Sequence, residues 1–260
     1  MAGAAARAGA GAVRVAVIGA RGRMGREVCA AVEAGTGLEL GPQVDLGDDL
    51  EAALSGPGRP DVAVVFSVPD AALDNVLACV RHGVHAVVGT TGWTPDRLDA
   101  VRVALGKSPT TGVLVAPNFA LGAVLLLRFA AAAAPHYESV EIIELHHPDK
   151  VDAPSGTARY TAGVIADARR SAGCGPIPDA TTTALDGARG AEVDGVRVHA
   201  VRLRGLVAHE EILFGSAGET LTLRHDSFDR SSFMPGVLLA VRAVAGRPGL
   251  TVGLEHYLDA

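Results

Sequence analysis

Between Glu144 and Ala158 the chain reads ELHHPDKVDAPSGTA. Two adjacent histidines, a lysine, acids and a Ser-Gly-Thr turn fall within fifteen residues, a set able to hold protons near neutral pH and to grip an anion. The preceding SVEIIELHH has strand character and would deliver His146 and His147 at its end, pointing to opposite sides. Lys150 follows after a Pro-Asp turn. DAPSGTA then opens a helix with Ser155 as its N-cap. Free N–H groups there, with the Ser155 and Thr157 hydroxyls, make a site for a carboxylate. The constellation suits a small carboxylated substrate that takes up a proton during reaction. A hydrogen-bonded surface pair of histidines and an ordinary helix cap account for the same residues without catalysis. No metal is expected, because no third ligand stands at a convincing spacing and Lys150 would repel a cation.

A second group of residues has the types and spacing to hold a nucleotide. In VAVIGARGRMGREV, Gly19, Gly22 and Gly25 fall directly between a strand and a helix, a G-x-x-G-x-x-G variant of the dinucleotide turn. The glycines permit a tight turn and close backbone approach, and the helix N-terminus then faces a pyrophosphate. Asp45, 20 residues beyond Gly25, stands where a carboxylate accepts hydrogen bonds from a ribose diol, although VDLGDD also reads as a plain turn. The acid favours NADH, whereas Arg21 and Arg23 suit the additional phosphate of NADPH, so both cofactors stay open. GTTG (Gly89–Gly92) and APNF (Ala116–Phe119) would lie outside the carboxyl ends of two later strands, where such sheets bind ligands; ordinary turn chemistry explains them equally well.

The elements that must position these groups alternate in type. VRVAVI, LELGPQVD, DVAVVFSV, HAVVGTTG and GVLVAPNF read as five strands, separated by helices to about Ala34, over Asp70–His82 and over Thr94–Lys107. Strands apolar nearly throughout, with helices between them, predict a doubly wound, Rossmann-like parallel sheet covered on both faces. From about Ala120 the pattern changes. SVEIIELHH, GVRVHAVRLRG, HEEILFG and ETLTLRHDSF alternate with few helices between, which predicts an open mixed sheet with one helix, Ser155–Ser171, and a loop from Gly173 to Gly195. The terminal stretch from Ser231 reads as helix returning to the first domain. The expected organisation is α/β: a flexible tail over 1–12, a dinucleotide-binding domain over 13–118 plus 233–260, and an inserted α+β substrate and oligomerisation domain over 119–232.

Composition limits the alternatives. With 260 residues, 48% of them hydrophobic, the chain can bury one or two cores. A net charge of -6 argues against a nucleic-acid surface, which needs a basic excess. Cys29, Cys79 and Cys174 lie far apart and suit a reducing cytoplasm rather than a disulfide framework. The opening residues lack the core of a signal peptide, and the apolar run Phe119 to Ala134 is too short for a bilayer and carries Arg128. A small-molecule partner is expected, with neither nucleic acid nor membrane.

GARGRMG, GTTG, APNF, ELHHPDKVDAPSGTA, RLRGLVAHEEILFG and SFMPGVLLAV run in one order over nearly the whole chain after the tail. By these pieces the chain resembles the dihydrodipicolinate reductases, also called 4-hydroxy-tetrahydrodipicolinate reductases, of bacterial lysine and diaminopimelate biosynthesis. The long H-H-x-x-K-x-D-x-P-S-G-T-A motif is far more specific than the glycine turn. Composition and VDLGDDL look most like the actinobacterial branch. The resemblance implies reduction of 4-hydroxy-tetrahydrodipicolinate, a dicarboxylate, to tetrahydrodipicolinate by NADH or NADPH with loss of water. Departure of the hydroxyl gives a conjugated imine; hydride goes to ring carbon 4, and an enzyme proton completes the reduction at the neighbouring carbon.

The resemblance also assigns residues. His146 would be the proton donor and acceptor and Lys150 the proton donor, with His147, Gly156 and Thr157 on the substrate carboxylates and Ser155 supporting them. Gly19, Ala20, Arg21, Gly22, Arg23, Met24, Asp45, Gly89, Thr90, Thr91, Ala116, Pro117, Asn118 and Phe119 would hold the cofactor, with Phe66 near the nicotinamide. A homotetramer assembled through the second domain's sheet is implied as well, and two domains bracketing a substrate suggest hinge closure that excludes water. Val65 and Ser67 depart from the family's usual acid and threonine around Phe66. A homoserine or aspartate dehydrogenase would share the glycine turn but leaves HHPDKVDAPSGTA without a role. A nicotinamide-sensing binding protein would need a partner or DNA surface that the acidic balance argues against.

Overall fold

The structure, a computed structural model, describes residues 11–258; of the expected tail over 1–12, all but the last two residues lie outside them. In chain order the first half runs β1 (Val13–Ile18), α1 (Arg23–Ala34), β2 (Leu38–Val44), α2 (Leu50–Ala53), β3 (Val62–Val65), α3 (Pro69–Arg81), β4 (His85–Val88), α4 (Pro95–Leu105) and β5 (Gly112–Val115). Next come α5 (Leu121–Ala133), β6 (Ser139–His146), α6 (Gly156–Ser171), β7 (Ala191–Val193), β8 (Val196–Arg202), β9 (Ala208–Ser216) and β10 (Glu219–Ser227). The chain closes with α7 (Met234–Ala243) and β11 (Gly249–Val252). Its contacts divide into two units, one of residues 11–116 with Val237–Val252, the other of Pro117–Gly236 with Gly253–Leu258. No helix among the described residues is long and apolar enough to cross a membrane.

The first unit holds a parallel sheet in the order β11-β5-β4-β3-β1-β2. β3, β4 and β5 are short β-branched runs, almost wholly buried, as strands covered on both faces must be. Pro42 is tolerated in β2 because that strand is the edge, and the register against β1 slips across it, from Val15 opposite Leu40 to Val17 opposite Gln43. Pro95 sits at the first position of α4, where a missing N–H costs nothing, and the Thr94 hydroxyl accepts from Arg97 N to cap it. The chain runs from β1 outward to β2 and then back to β3 on the other side of β1. That reversal is the switch point at which doubly wound sheets open a ligand crevice. The terminal segment read as helix contains a strand as well: Leu250-Thr251-Val252, held between Gly249 and Gly253, pairs with β5 as the sixth strand.

The second unit is a mixed sheet ordered β10-β9-β6-β8-β7, with the parallel pair β6–β8 inside antiparallel neighbours. β7 forms within the stretch read as loop from Gly173 to Gly195. One face carries Val140, Ile142, Val198, Ile212 and Phe214, buried with Leu126 of α5 and Ala162 and Ile165 of α6. The period of two sends Glu141, His199, Glu211 and Arg224 to the other face, where they pair with one another and with Arg189 and Asp226.

Candidate active site

Register places the chemistry of the second unit. On its helix-covered face, inward positions of β6 continue from Val140 and Ile142 to Glu144 and then His146. Glu144 lies opposite Glu210 of β9, and His146 opposite Arg202 of β8. Glu144 is fully buried and acts as a hub. It accepts from His146 Nδ1 at 2.6 Å, from Arg202 Nη1 and Nη2 at 2.7 and 2.8 Å, and from Ser155 N at 3.0 Å. Burial pushes this carboxyl up, but the hydrogen bonds from His146 and Arg202 outweigh it and hold the group at about 2. Glu144 is therefore an obligate acceptor. His146 thus turns Nδ1–H to it, and Nε2 takes no part in this contact.

Ser155 caps α6, its hydroxyl accepting from Ala158 N at 3.1 Å as the sequence predicts. The amide of Gly156, at the start of the helix, donates to Asp152 Oδ2 at 3.1 Å, and Lys150 Nζ donates to Asp152 Oδ1 at 2.6 Å. One carboxylate of the chain thus takes both a lysine and the helix N-terminus, and the Lys150 hydrogen bond helps hold Asp152 below the usual carboxylate range although burial opposes it. Arg202 fixes this loop through the Asp152 carbonyl at 2.7 Å. A cavity of about 20 Å³, room for a water, is lined by His146, Ser155 and Thr157 together with Asn118, His225 and Glu210. Asn118, which the resemblance gives to the cofactor, therefore shares a cavity with the proton-bearing histidine. The structure draws His146, Lys150, Ser155, Gly156 and Thr157 into one network or cavity; His147 joins through the turn in which Lys150 N donates to its carbonyl.

In the first unit the glycine turn is tightly constrained. Gly19 has φ +87, and a Cβ there would fall 2.4 Å from the Phe66 carbonyl oxygen; one at Gly25 would fall 2.0 Å from the Gly19 oxygen. Only glycine fits, and α1 starts at Arg23 with its free amides behind this turn. Asp45 stands just past β2 and accepts from Arg21 N at 2.7 Å and from Leu46 N at 2.8 Å, the Leu46 and then the Arg21 amide lowering its carboxyl. The Arg21 guanidinium is turned to Asp48, 2.8 Å away. A cavity of about 280 Å³ opens beside Gly19, Asp45, Asp48, Ser67 and Val68 at the switch point. A cradle that a Cβ would block, facing helix amides and a carboxylate, fits a dinucleotide.

Phe66 and Ser67 lie in the loop beyond β3, and the Phe66 ring fills the space a side chain at position 89 would need. Thr90 is buried with its hydroxyl donating to the Ser67 carbonyl at 3.1 Å, so its proton is already used, while Thr91 is exposed. Ala116 closes the first unit, and Pro117 to Phe119 begin the second.

Sequence reasoning gave no role to Glu144, Arg202, Asp152, Thr161 or Glu210. Glu144 did leave a signal, an acid continuing the inward alternation of Val140 and Ile142. Arg202 and Glu210 come from strands whose register the sequence does not declare.

Two family profiles cover the chain: "Dihydrodipicolinate reductase, N-terminus" matches residues 13–119 and "Dihydrodipicolinate reductase, C-terminus" matches residues 122–258. The 4-hydroxy-tetrahydrodipicolinate reductase of Nocardia farcinica is 63% identical over 247 residues, 95% of this chain and 99% of that protein. The Streptomyces coelicolor enzyme of that name is 61% identical over 95% of this chain and 98% of its own. Among solved structures, a dipicolinate-bound dihydrodipicolinate reductase from Paenisporosarcina sp. TG-14 matches with a TM-score of 0.79 and 39% identity, over 95% of this chain and 100% of that one. Matched through both halves, the chain belongs to the dihydrodipicolinate reductase family, the 4-hydroxy-tetrahydrodipicolinate reductases that act as oxidoreductases of lysine biosynthesis.

Proposed function

We propose that this chain reduces its substrate with His146 and Lys150 as the proton-handling groups, and that the diacid is gripped by Lys150, His147, Gly156 and Thr157 with Ser155 supporting them. NADH or NADPH would be held by the turn Gly19 to Met24, by Asp45, and by the loops at Phe66, Gly89 to Thr91 and Ala116 to Phe119. The observation that carries the reading is Asp152: its carboxylate receives Lys150 Nζ and the Gly156 amide together, the pair of donors that a substrate carboxylate would need. Dipicolinate, bound by the Paenisporosarcina relative, is a flat diacid of this kind and is proposed as a ligand here.

Lys150 and the α6 amides hold the dicarboxylate electrostatically, so positioning supplies much of the rate. His146 moves a proton through Nε2, its ring held by Glu144 on the far nitrogen. Arg202 keeps Glu144 ionised and anchors the loop that carries Lys150. Bound NADH or NADPH supplies the hydride, and this chain supplies orientation and protons. We further propose a homotetramer built on the helix-free face of the second unit's sheet, which sedimentation velocity tests directly.

The test is turnover of enzymatically generated substrate, followed at the reduced-nicotinamide absorbance band with NADH and with NADPH. His146→Gln and Lys150→Ala are expected to lower kcat by roughly two to four powers of ten while cofactor binding survives. Near wild-type turnover in both purified variants removes their catalytic role.

A further inference from the structure

Glu210 is a buried carboxyl in the cavity of His146, Ser155 and Thr157, and no step above uses it. Its Oε2 lies 3.3 Å from the Thr161 hydroxyl, while its Oε1 is buried without a hydrogen-bond partner. The Thr161 hydroxyl also lies 3.1 Å from the Thr157 carbonyl oxygen. A hydroxyl has one proton, so it cannot donate to both a carboxylate and a carbonyl. If Glu210 carries a proton on Oε2, the conflict vanishes: Glu210 donates to Thr161, and Thr161 donates to Thr157. The chain of donors then ends in the first turn of α6, beside the amide that grips an anion.

The surroundings favour that neutral form. Glu144 lies opposite on β6 with its own charge retained, and His146 follows two residues along the same strand. On the other side, His225 of β10 lies opposite Glu210, its imidazole pulled below its usual value by burial against the opposing influence of Asp226. On β9 itself, His209 accepts from Val207 N through Nε2 and is held by Asp226 at Nδ1, and Glu211 turns to Arg224 on the other face. Arg202 of β8 is engaged by Glu144. α6 meets the carboxyl with the Thr161 hydroxyl, and Arg159 of α6 and Arg128 of α5 are exposed. No cation of these elements pairs with Glu210, and burial followed by the Glu144 charge pushes its carboxyl up to about 7, against the Thr161 hydrogen bond.

We propose that Glu210 is a positioning residue of the reductase site: in its neutral form it fixes Thr161 and, through it, the Thr157 end of α6, so that the diacid is gripped well only while Glu210 keeps its proton. The proposal rests on the reading of α6 as the diacid grip. Ionisation pulls the Thr161 proton away from Thr157 and sets a charge of the substrate's own sign on the cavity wall. Both changes weaken the grip.

The test is the affinity for dipicolinate, and the substrate KM, from pH 6 to pH 8.5 with NADH present. Glu210→Gln, permanently neutral, is expected to match wild type within about twofold at pH 6 and to bind roughly two- to tenfold tighter at pH 8.5, the range of one hydrogen bond. Thr161→Val keeps the carboxyl and cuts the relay. It should bind roughly two- to tenfold more weakly than wild type at pH 6 and equally at pH 8.5. A ratio to wild type that stays constant with pH in either variant overturns the role of Glu210. If wild type itself neither turns over nor binds dipicolinate at any pH, the reading of the whole site fails, a different result from an active enzyme with constant ratios.

Discussion

Glu144 and Glu210 face each other across β6 and β9, one ionised and held at about 2, the other pushed up to about 7. The difference lies in partners, since both are buried: Glu144 has an imidazole, a guanidinium and an amide, Glu210 a single hydroxyl. Their effects on stability have opposite signs. The Glu144 carboxyl is lowered below its unfolded value, so its stabilisation is present above about pH 4.5 and is lost as pH falls toward about 2. The Glu210 carboxyl is raised, so its contribution is full below about pH 4.5 and is lost as pH rises through about 7. Glu144→Gln keeps the shape but leaves Arg202 facing an amide. Urea unfolding at pH 7 is expected to show a loss of about 2–4 kcal/mol, shrinking at pH 3, because wild type has by then surrendered part of the same interaction. An equal loss at both pH values would show that packing rather than charge is at stake. The motif residues were legible because they lie on one continuous stretch. Glu210 was not, since HEEILFG shows two adjacent acids and only the pairing of β9 with β6 decides which of them turns inward.

At the scale of elements, α6 is fixed at both ends. Its start carries the Ser155 cap, and its last turn carries Arg169, buried and donating to the carbonyls of Ala134, Tyr137, Glu138 and Gly175. These carbonyls belong to the α5–β6 connection and to the turn after α6, so one guanidinium ties the approach to β6 to the end of α6. Lysine has a single ammonium and cannot replace a planar fork with several donors. Arg169→Lys and Arg169→Met are both expected to cost roughly 2–4 kcal/mol in urea unfolding, because buried carbonyls are left unpaired. A loss below about 0.5 kcal/mol, the scale of an ordinary surface change, would mean that water replaces the clamp. Five of the six strands of the first sheet were readable because apolar, mostly β-branched runs bounded by turn residues are a strong local signal. β11 escaped because Leu250-Thr251-Val252 follows an apolar helix closely and becomes a strand only by docking on β5. β7, three residues in a polar loop, exists only by pairing with β8.

For the molecule as a whole, two units with separate cores carry the two proposed binding tasks, the dinucleotide mainly on the first, with Pro117 to Phe119 of the second, and the diacid on the second. Each task has its own charged group to remove. Asp45 lies at the end of β2, where its free lone pairs would take a ribose diol, and it is held there by the Arg21 and Leu46 amides. A 2′-phosphate replaces one hydroxyl of that diol and repels the carboxylate, while Arg21, now turned to Asp48, and exposed Arg23 offer it positive charge. Asp45→Ala is therefore expected to weaken NADH roughly tenfold or more, the effect of hydrogen bonds to a charged group, and NADPH by less than about threefold. Dipicolinate affinity should stay unchanged in that variant. Lys150→Ala should reverse the pattern, losing dipicolinate and keeping NADH. Calorimetric titration of each ligand into each variant separates the cases. Equal loss of NADH and NADPH in Asp45→Ala removes the ribose role of that acid, and loss of cofactor binding in Lys150→Ala breaks the division of labour between the two units.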